Sequence, residues 1–178
     1  MNRNDFGYPT DMNVGPQGLQ DDNPDLTEIR ATRPSDIAIL ENIDLKCQET
    51  PMDRAELQEL MKVDGVHGIL AIRKFQNVGF CLFNIQDNGE TVFLNRFSVA
   101  HSVLDLGVAE KMIESLRTPI DGRQATLRIV LSEYDIGYPV FAKVLGLGFV
   151  AHGTAPNHFY EYSRVFGTDR SCDGIKLE

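Results

Sequence analysis

Glu133, Tyr134 and Tyr138 stand together just after the apolar run Ala125 to Leu131, and they are the side chains best suited to moving a proton. A carboxylate held near a cleft can accept a proton from an attacking amine, and burial raises its pKa toward neutrality. A phenol of pKa ~10 can donate a proton to a basic leaving group. Other roles stay open for the same residues: Glu133 as a solvated loop carboxylate, the two tyrosines as packing at a strand end. His101 could serve as a base, a phosphate contact or an ordinary loop histidine. His152 and His158 flank a loop containing Gly153 and Pro156, with no carboxylate or cysteine at ligand spacing, so no metal site is expected. Cys81 lies between Phe80 and Leu82 and reads as a small core hydrophobe. A covalent cysteine route needs a neighbouring base, and no histidine is placed for it.

Composition limits what such residues can serve. A chain of 178 residues is long enough for one domain with a sizeable core. Its 42% hydrophobic and 24% charged content is that of a water-soluble globular protein. No stretch approaches the ~18 to 20 consecutive apolar residues of a membrane span, and the N-terminus carries no apolar run of signal-peptide length. A cytoplasmic site of action is expected, alone or within an intracellularly assembled particle. Cys47, Cys81 and Cys172 are odd in number and far apart, which suits neither a disulfide framework nor a C-x-x-C metal site. A formal charge of −9 would be repelled by nucleic acid phosphates and favours a cationic partner, such as an amine or a basic protein surface.

The elements that must position these residues follow from periodicity. Residues 1–26, rich in Asn, Asp, Gly, Pro and Gln, read as a flexible arm, either simply disordered or ordering against a partner through Phe6, Tyr8, Met12 and Leu19. Residues 27–166 form the domain, and 167–178 a loose tail. A strand at Thr27 to Ala31 precedes a helix capped by Ser35 with Ile37, Leu40 and Ile43 on one face, and Asp53 caps a second helix carrying Leu57, Leu60 and Met61. Strands at Gly68 to Phe75 and Val78 to Ile85 are joined by a turn at Gln76-Asn77, and Asn88-Gly89 turns the chain into a strand from Thr91 to Ala100. Val108, Ala109, Met112, Ile113 and Leu116 share a helical face that ends around Pro119. A buried strand at Ala125 to Leu131, a helix from Tyr138 to Leu147, and strands beginning at Phe149 and Asn157 complete the domain.

The order β-α-α-β-β-β-α-β-α-β-β, with Ile29-Arg30-Ala31-Thr32-Arg33-Pro34-Ser35-Asp36, Phe93-Leu94-Asn95-Arg96-Phe97-Ser98-Val99 and Gly146-Leu147-Gly148-Phe149 in their places, resembles the GNAT superfamily of N-acetyltransferases from Glu28 to Phe166. The resemblance implies an α/β (α+β) fold, a mixed, mostly antiparallel central sheet flanked by about four helices. It implies acetyl-CoA as cofactor, its acyl group held by the backbone at Phe97 to Val99 between two central strands, with either Asn95 or Arg96 facing that gap. The family's pyrophosphate loop, Q/R-x-x-G-x-G/A at a helix start, corresponds to Leu104-Asp105-Leu106-Gly107-Val108-Ala109. The cofactor-binding candidates are therefore Phe97, Val99, Leu104, Gly107, Val108 and Ala109. The family's usual Tyr falls at Val144 and its usual Asn near Gly137, so Tyr134 or Tyr138 would have to substitute.

Free N–H groups and the positive end of the helix dipole favour an anion at such a loop, by ~0.3 to 1 kcal/mol when exposed and ~2 when partly buried. Asp105 and Glu110 oppose it. A like charge at ~4 to 6 Å costs about 3 to 4 kcal/mol at an effective dielectric near 20, unless the side chain turns to solvent. Two functions follow: an acetyltransferase acting on an amine or basic protein acceptor, or a non-catalytic binding or assembly module, such as a phage virion component, docking on a protein partner through its N-terminal arm. Neither calls for direct nucleic acid or membrane contact.

Overall fold

The computed structural model describes residues 26–117, 124–136, 138–155 and 159–166. The expected arm up to Asp25, the tail from Gly167, and Pro119, Gly137 and His158 lie outside the described residues. Strands β1 (Thr27–Ala31), β2 (Val66–Arg73), β3 (Gln76–Gln86), β4 (Thr91–Val99), β5 (Ala125–Ser132), β6 (Val150–Ala155) and β7 (Phe159–Phe166) form one sheet in the order β1-β2-β3-β4-β5-β7-β6. Every neighbouring pair is antiparallel except β4 with β5, which run parallel. The helices are α1 (Ile37–Cys47), α2 (Arg54–Lys62), α3 (Val108–Ser115), the single turn α4 (Glu133–Ile136) and α5 (Pro139–Leu145).

Alternation along the strands divides the core into two layers. Leu127, Ile129 and Leu131 of β5, with Cys81, Phe83 and Phe97, pack on Met112 and Ile113 of α3 and Phe141 and Val144 of α5. On the opposite face Leu70, Phe80 and Leu82 meet Leu40, Ile43 and Leu57 of α1 and α2. Among the described residues, no helix is long and apolar enough to cross a membrane.

Local signals explain most boundaries. Asp53 accepts the Glu56 N–H at 2.8 Å while Glu56 accepts the Asp53 N–H at 2.8 Å, a reciprocal cap contributing on the order of 1 kcal/mol at the start of α2. Ser35, by contrast, is not the cap of α1. Pro34–Asp36 forms a 3-10 turn in which Asp36 is buried and accepts the Arg33 N–H at 2.7 Å and two Arg30 N–H groups at 2.7 and 2.9 Å. A charged acceptor paired with an arginine of β1 outcompetes a neutral hydroxyl.

The β2–β3 turn is Lys74-Phe75 rather than Gln76-Asn77. Arg73 pairs with Gln76, and Lys74 and Phe75 have φ of 47° and 65°, the left-handed pair that a two-residue hairpin demands. The apolar faces of the two strands fix the register and override the turn preference. The Asn88-Gly89 turn also takes in Asp87, itself at φ 52°, and Glu90, since Gln86 pairs with Thr91. Helix α5 starts at Pro139, so Tyr138 is its N-cap and not a helical residue.

Candidate functional site at the parting of the central strands

Strands β4 and β5 pair only from Thr91 opposite Thr126 to Leu94 opposite Ile129. Beyond that point β4 continues to Val99 against β3, and β5 continues to Ser132 against β7, so the two strands part. The cause is one extra residue: Leu82 faces Arg96 and Phe83 faces Leu94, leaving Asn95 as a bulge that bends β4 away. Ala100 donates its N–H to the Val78 carbonyl at 2.8 Å, so by alternation of the ladder Ser98 also turns to β3. Phe97 and Val99 therefore turn their N–H and C=O groups the other way, into the parting. A cleft of about 60 Å³ lies there, lined by Leu94 to Phe97, Ile129 to Leu131, Asp135 and Phe141.

One wall of the parting is held by a buried polar network. Asp44 on α1, fully buried, accepts Arg96 Nε at 2.9 Å and Nη2 at 2.6 Å, Ser98 Oγ at 2.6 Å and the Met52 N–H at 2.7 Å. Arg96 also donates to the Thr50 carbonyl at 2.7 Å. Gln48, just past α1 and buried, donates through Nε2 to the Phe97 carbonyl at 2.8 Å and to Ser98 Oγ at 3.0 Å. Of the two polar residues on β4 singled out by the sequence, Arg96 is thus tied to α1, and Asn95 supplies the bulge.

The chain leaves β4 through a 3-10 segment, His101–Leu106, passes Gly107 at φ 71°, and enters α3 at Val108. Only a residue without a Cβ adopts that left-handed step cheaply, and it starts the helix abruptly with its first N–H groups lacking intrahelical acceptors. Leu104 is buried in the core, so it anchors the loop and offers a ligand nothing polar. The Asp105 side chain is 96% exposed and lies 3.4 Å from Lys143 Nζ on α5, which removes most of the repulsion toward a bound anion and brings up a cation. Glu110 is different: it sits in the first turn of α3 with Oε2 buried and without a hydrogen-bond partner. His101 opens the segment and is exposed. A left-handed Gly107 and a small Ala109 at a helix start, beside a strand edge whose Phe97 and Val99 N–H groups turn outward, fit an acyl-CoA; among the described residues, Glu110 is the carboxylate in the first turn of that helix.

Glu133 and Tyr134 open α4 where β5 ends beside the parting, but their side chains lie outside the described part of the structure. The turn itself is set by Ser132 and Asp135: the carboxylate accepts the Ser132 N–H at 2.9 Å and its hydroxyl at 2.6 Å. This Ser-x-x-Asp spacing is a cap signal that the sequence itself carries. Tyr138 is partly buried, and desolvation, then the carboxylates of Glu49 and Asp135, raise its pKa above the ordinary phenol value. Glu49, which lies in the α1–α2 loop and acts on the phenol, is a residue that no sequence signal connects to it. Glu49 follows Gln48 directly in the chain.

Val144, at the position where a tyrosine was sought, is fully buried in the core. Burial pushes the Cys47 thiol up to about 11 and the Cys81 thiol higher still, so both are inert at neutral pH. His152 is exposed and hydrogen-bonded to Ser163 Oγ. Among the described residues, no group of His, Cys, Asp or Glu is arranged to hold a metal ion.

No family model and no curated protein matches the sequence. Solved structures do match the fold. The ribosomal-protein-S18-alanine N-acetyltransferase from Escherichia coli superposes with a TM-score of 0.63 at 12% identity, over 85% of this chain and 99% of that one. Ard1 from Thermoplasma volcanium gives 0.64 at 16% identity, over 79% and 97%. The PaiA N-acetyltransferase from Thermoplasma acidophilum, solved in complex with coenzyme A, gives 0.62 at 13% identity, over 78% and 98%. The chain has the GNAT fold.

Proposed function

We propose that this chain is an N-acyltransferase that moves an acetyl or other acyl group from acyl-CoA to an amine. The observation that carries the reading is the parting of β4 from β5 with the Phe97 and Val99 N–H groups turned into it. When bound, acyl-CoA supplies an activated thioester carbonyl. The Phe97 and Val99 N–H groups would donate to an oxygen in the parting, and donors aimed at developing negative charge contribute roughly 2.7 to 4 kcal/mol each in a dry site. The N–H groups of Gly107, Val108 and Ala109 would face the pyrophosphate, Leu104 would hold their loop to the core, and Lys143 would add positive charge. Glu49 and Glu133 are the carboxylates suited to accept the amine proton. Tyr138, protonated at neutral pH as a phenol of pKa ~10 is, would supply the proton that a leaving thiolate needs, with Tyr134 as the other candidate.

The net charge of −9 suits a cationic acceptor, an amine on a small molecule or on a basic protein. The name of the Escherichia coli neighbour gives a protein acceptor of this class. The reading goes with a cytoplasmic site of action.

Calorimetry of the purified chain with acetyl-CoA, at low and moderate salt, tests it: binding in the micromolar range is expected. Absence of heat for the unaltered chain and for Glu110→Gln alike would sink the reading. A second reading would then stand, a GNAT-fold assembly module that binds a protein through residues 1–26. It is favoured by one observation, that Val144 fills with core packing the place where an acid was sought.

A further inference from the structure

The acyl-CoA reading asks β4 to present N–H groups rigidly along an edge that has lost its partner strand. Residues 96–99 keep their ladder to β3, but on the side of β5 no second ladder helps to fix the peptide groups of Phe97 and Val99, and the bulge at Asn95 lies next to them. Here three consecutive residues of that edge are tied to α1 and the residue just past it: Arg96 by its guanidinium to Asp44, Ser98 by its hydroxyl to Asp44, and Phe97 by its carbonyl to Gln48. The direction of each bond is fixed by chemistry. The Asp44 carboxylate only accepts, so the Ser98 hydroxyl donates to it and in turn accepts from Gln48. Gln48 must therefore present its NH₂ group, and the two protons of that group serve Ser98 Oγ at 3.0 Å and the Phe97 carbonyl at 2.8 Å. A flipped amide would set its oxygen against the carbonyl oxygen, so the network admits one orientation.

Resting on the acyl-CoA reading, we propose that Gln48 is a positioning residue, which stands in for the absent strand partner by holding the Phe97 carbonyl and so aims the neighbouring N–H groups into the parting. Two consequences follow for a ligand. The Phe97 carbonyl, an acceptor turned into the parting that would repel an incoming carbonyl oxygen, is already engaged by a donor. The Phe97 and Val99 N–H groups are held in place before binding, so no ordering is needed when a carbonyl arrives.

The test compares the full chain with Gln48→Leu and Gln48→Met, which keep the side chain's approximate size and leave both partners of the Asp44–Arg96 pair in place. Without ligand, amide order parameters of residues 96–99 should be near 0.85 in the unaltered chain and fall below about 0.6 in Gln48→Leu, while those of β2 stay unchanged. With ligand, calorimetry should show the unaltered chain preferring acetyl-CoA over CoA by about tenfold, and Gln48→Leu keeping its CoA affinity but losing that preference. Gln48→Met, which keeps the length of the side chain and has no donor, should behave as Gln48→Leu does. Unchanged order parameters and an unchanged preference in both variants would overturn the proposal. If the unaltered chain binds neither CoA nor acetyl-CoA, the ligand role falls with the acyl-CoA reading, and a drop in the order parameters would then show a purely structural clamp. If it binds both equally, the reading survives and the positioning role is overturned.

Discussion

The carboxylate of Asp44, fully buried on α1, receives the guanidinium of Arg96 on β4 through two hydrogen bonds of 2.6 and 2.9 Å, at the point where β4 leaves β5. Removing one partner of a buried pair leaves the other charged and unsatisfied, at a cost of about 3 to 5 kcal/mol. Asp44→Asn and Arg96→Met should each lower the melting temperature by on the order of 10 °C for a domain of this size. The double change should cost clearly less than the sum of the singles, because it leaves no orphaned charge. Thermal denaturation of the three variants measures this. Full additivity would mean that the two groups do not act as a pair.

Charge around the start of α3 sets the affinity for a phosphate ligand. Glu110→Gln removes the one carboxylate held near the first turn and should tighten acetyl-CoA binding by about tenfold, on the order of 1.4 kcal/mol. Lys143→Gln should weaken it severalfold, with the difference shrinking as salt shortens the Debye length from ~10 Å at 0.1 M. Asp105→Asn should have little effect, since that side chain is solvated. Calorimetric titrations at two salt concentrations decide it; a large gain from Asp105→Asn and none from Glu110→Gln would reverse the assignment.

Acid stability should report on Asp36. The Arg30 guanidinium, then the Arg33 backbone N–H, hold its carboxyl below the usual carboxylate value, the hydrogen bond from Arg30 being the largest effect. A depressed folded-state pKa means that the unfolded chain binds more protons between the two values, so stability rises with pH there. The contribution is fully present above the unfolded pKa of ~3.9 and is lost as pH falls through the folded value. Urea denaturation from pH 6 to pH 3 should show Asp36→Asn less stable than the unaltered chain at pH 6, with the two curves converging toward pH 3. Parallel curves would mean that the pair contributes nothing specific to folding.

Element identity was written locally. The apolar alternation of Ala125 to Leu131, the helical face of Val108 to Leu116 and the Asp53 cap each depend on residues a few positions apart, and each element forms where its own pattern places it. The β2–β3 turn did not, because Lys74 and Phe75 take left-handed backbone only under the pull of two flanking strands whose faces must match. The same holds for Ser35, displaced as a cap by the Arg30–Asp36 pair between β1 and the following turn.

The candidate site divides along the same line. The helix start at Gly107 and Ala109 and the strand carrying Phe97 and Val99 were legible, since both depend on local pattern and side-chain size; their part in binding is the proposal made above. The turning of Asp105 toward Lys143, the orphaned oxygen of Glu110, the Tyr138–Glu49 contact and the clamp of Asp44 and Gln48 on Arg96, Phe97 and Ser98 were not. Each joins residues distant in the chain, and whether a charge repels, neutralises or positions depends on direction and burial. By itself the sequence determined the elements, their order and the backbone loop. Only tertiary structure decided which charges face the site and what holds its open edge, because those are properties of packing between elements.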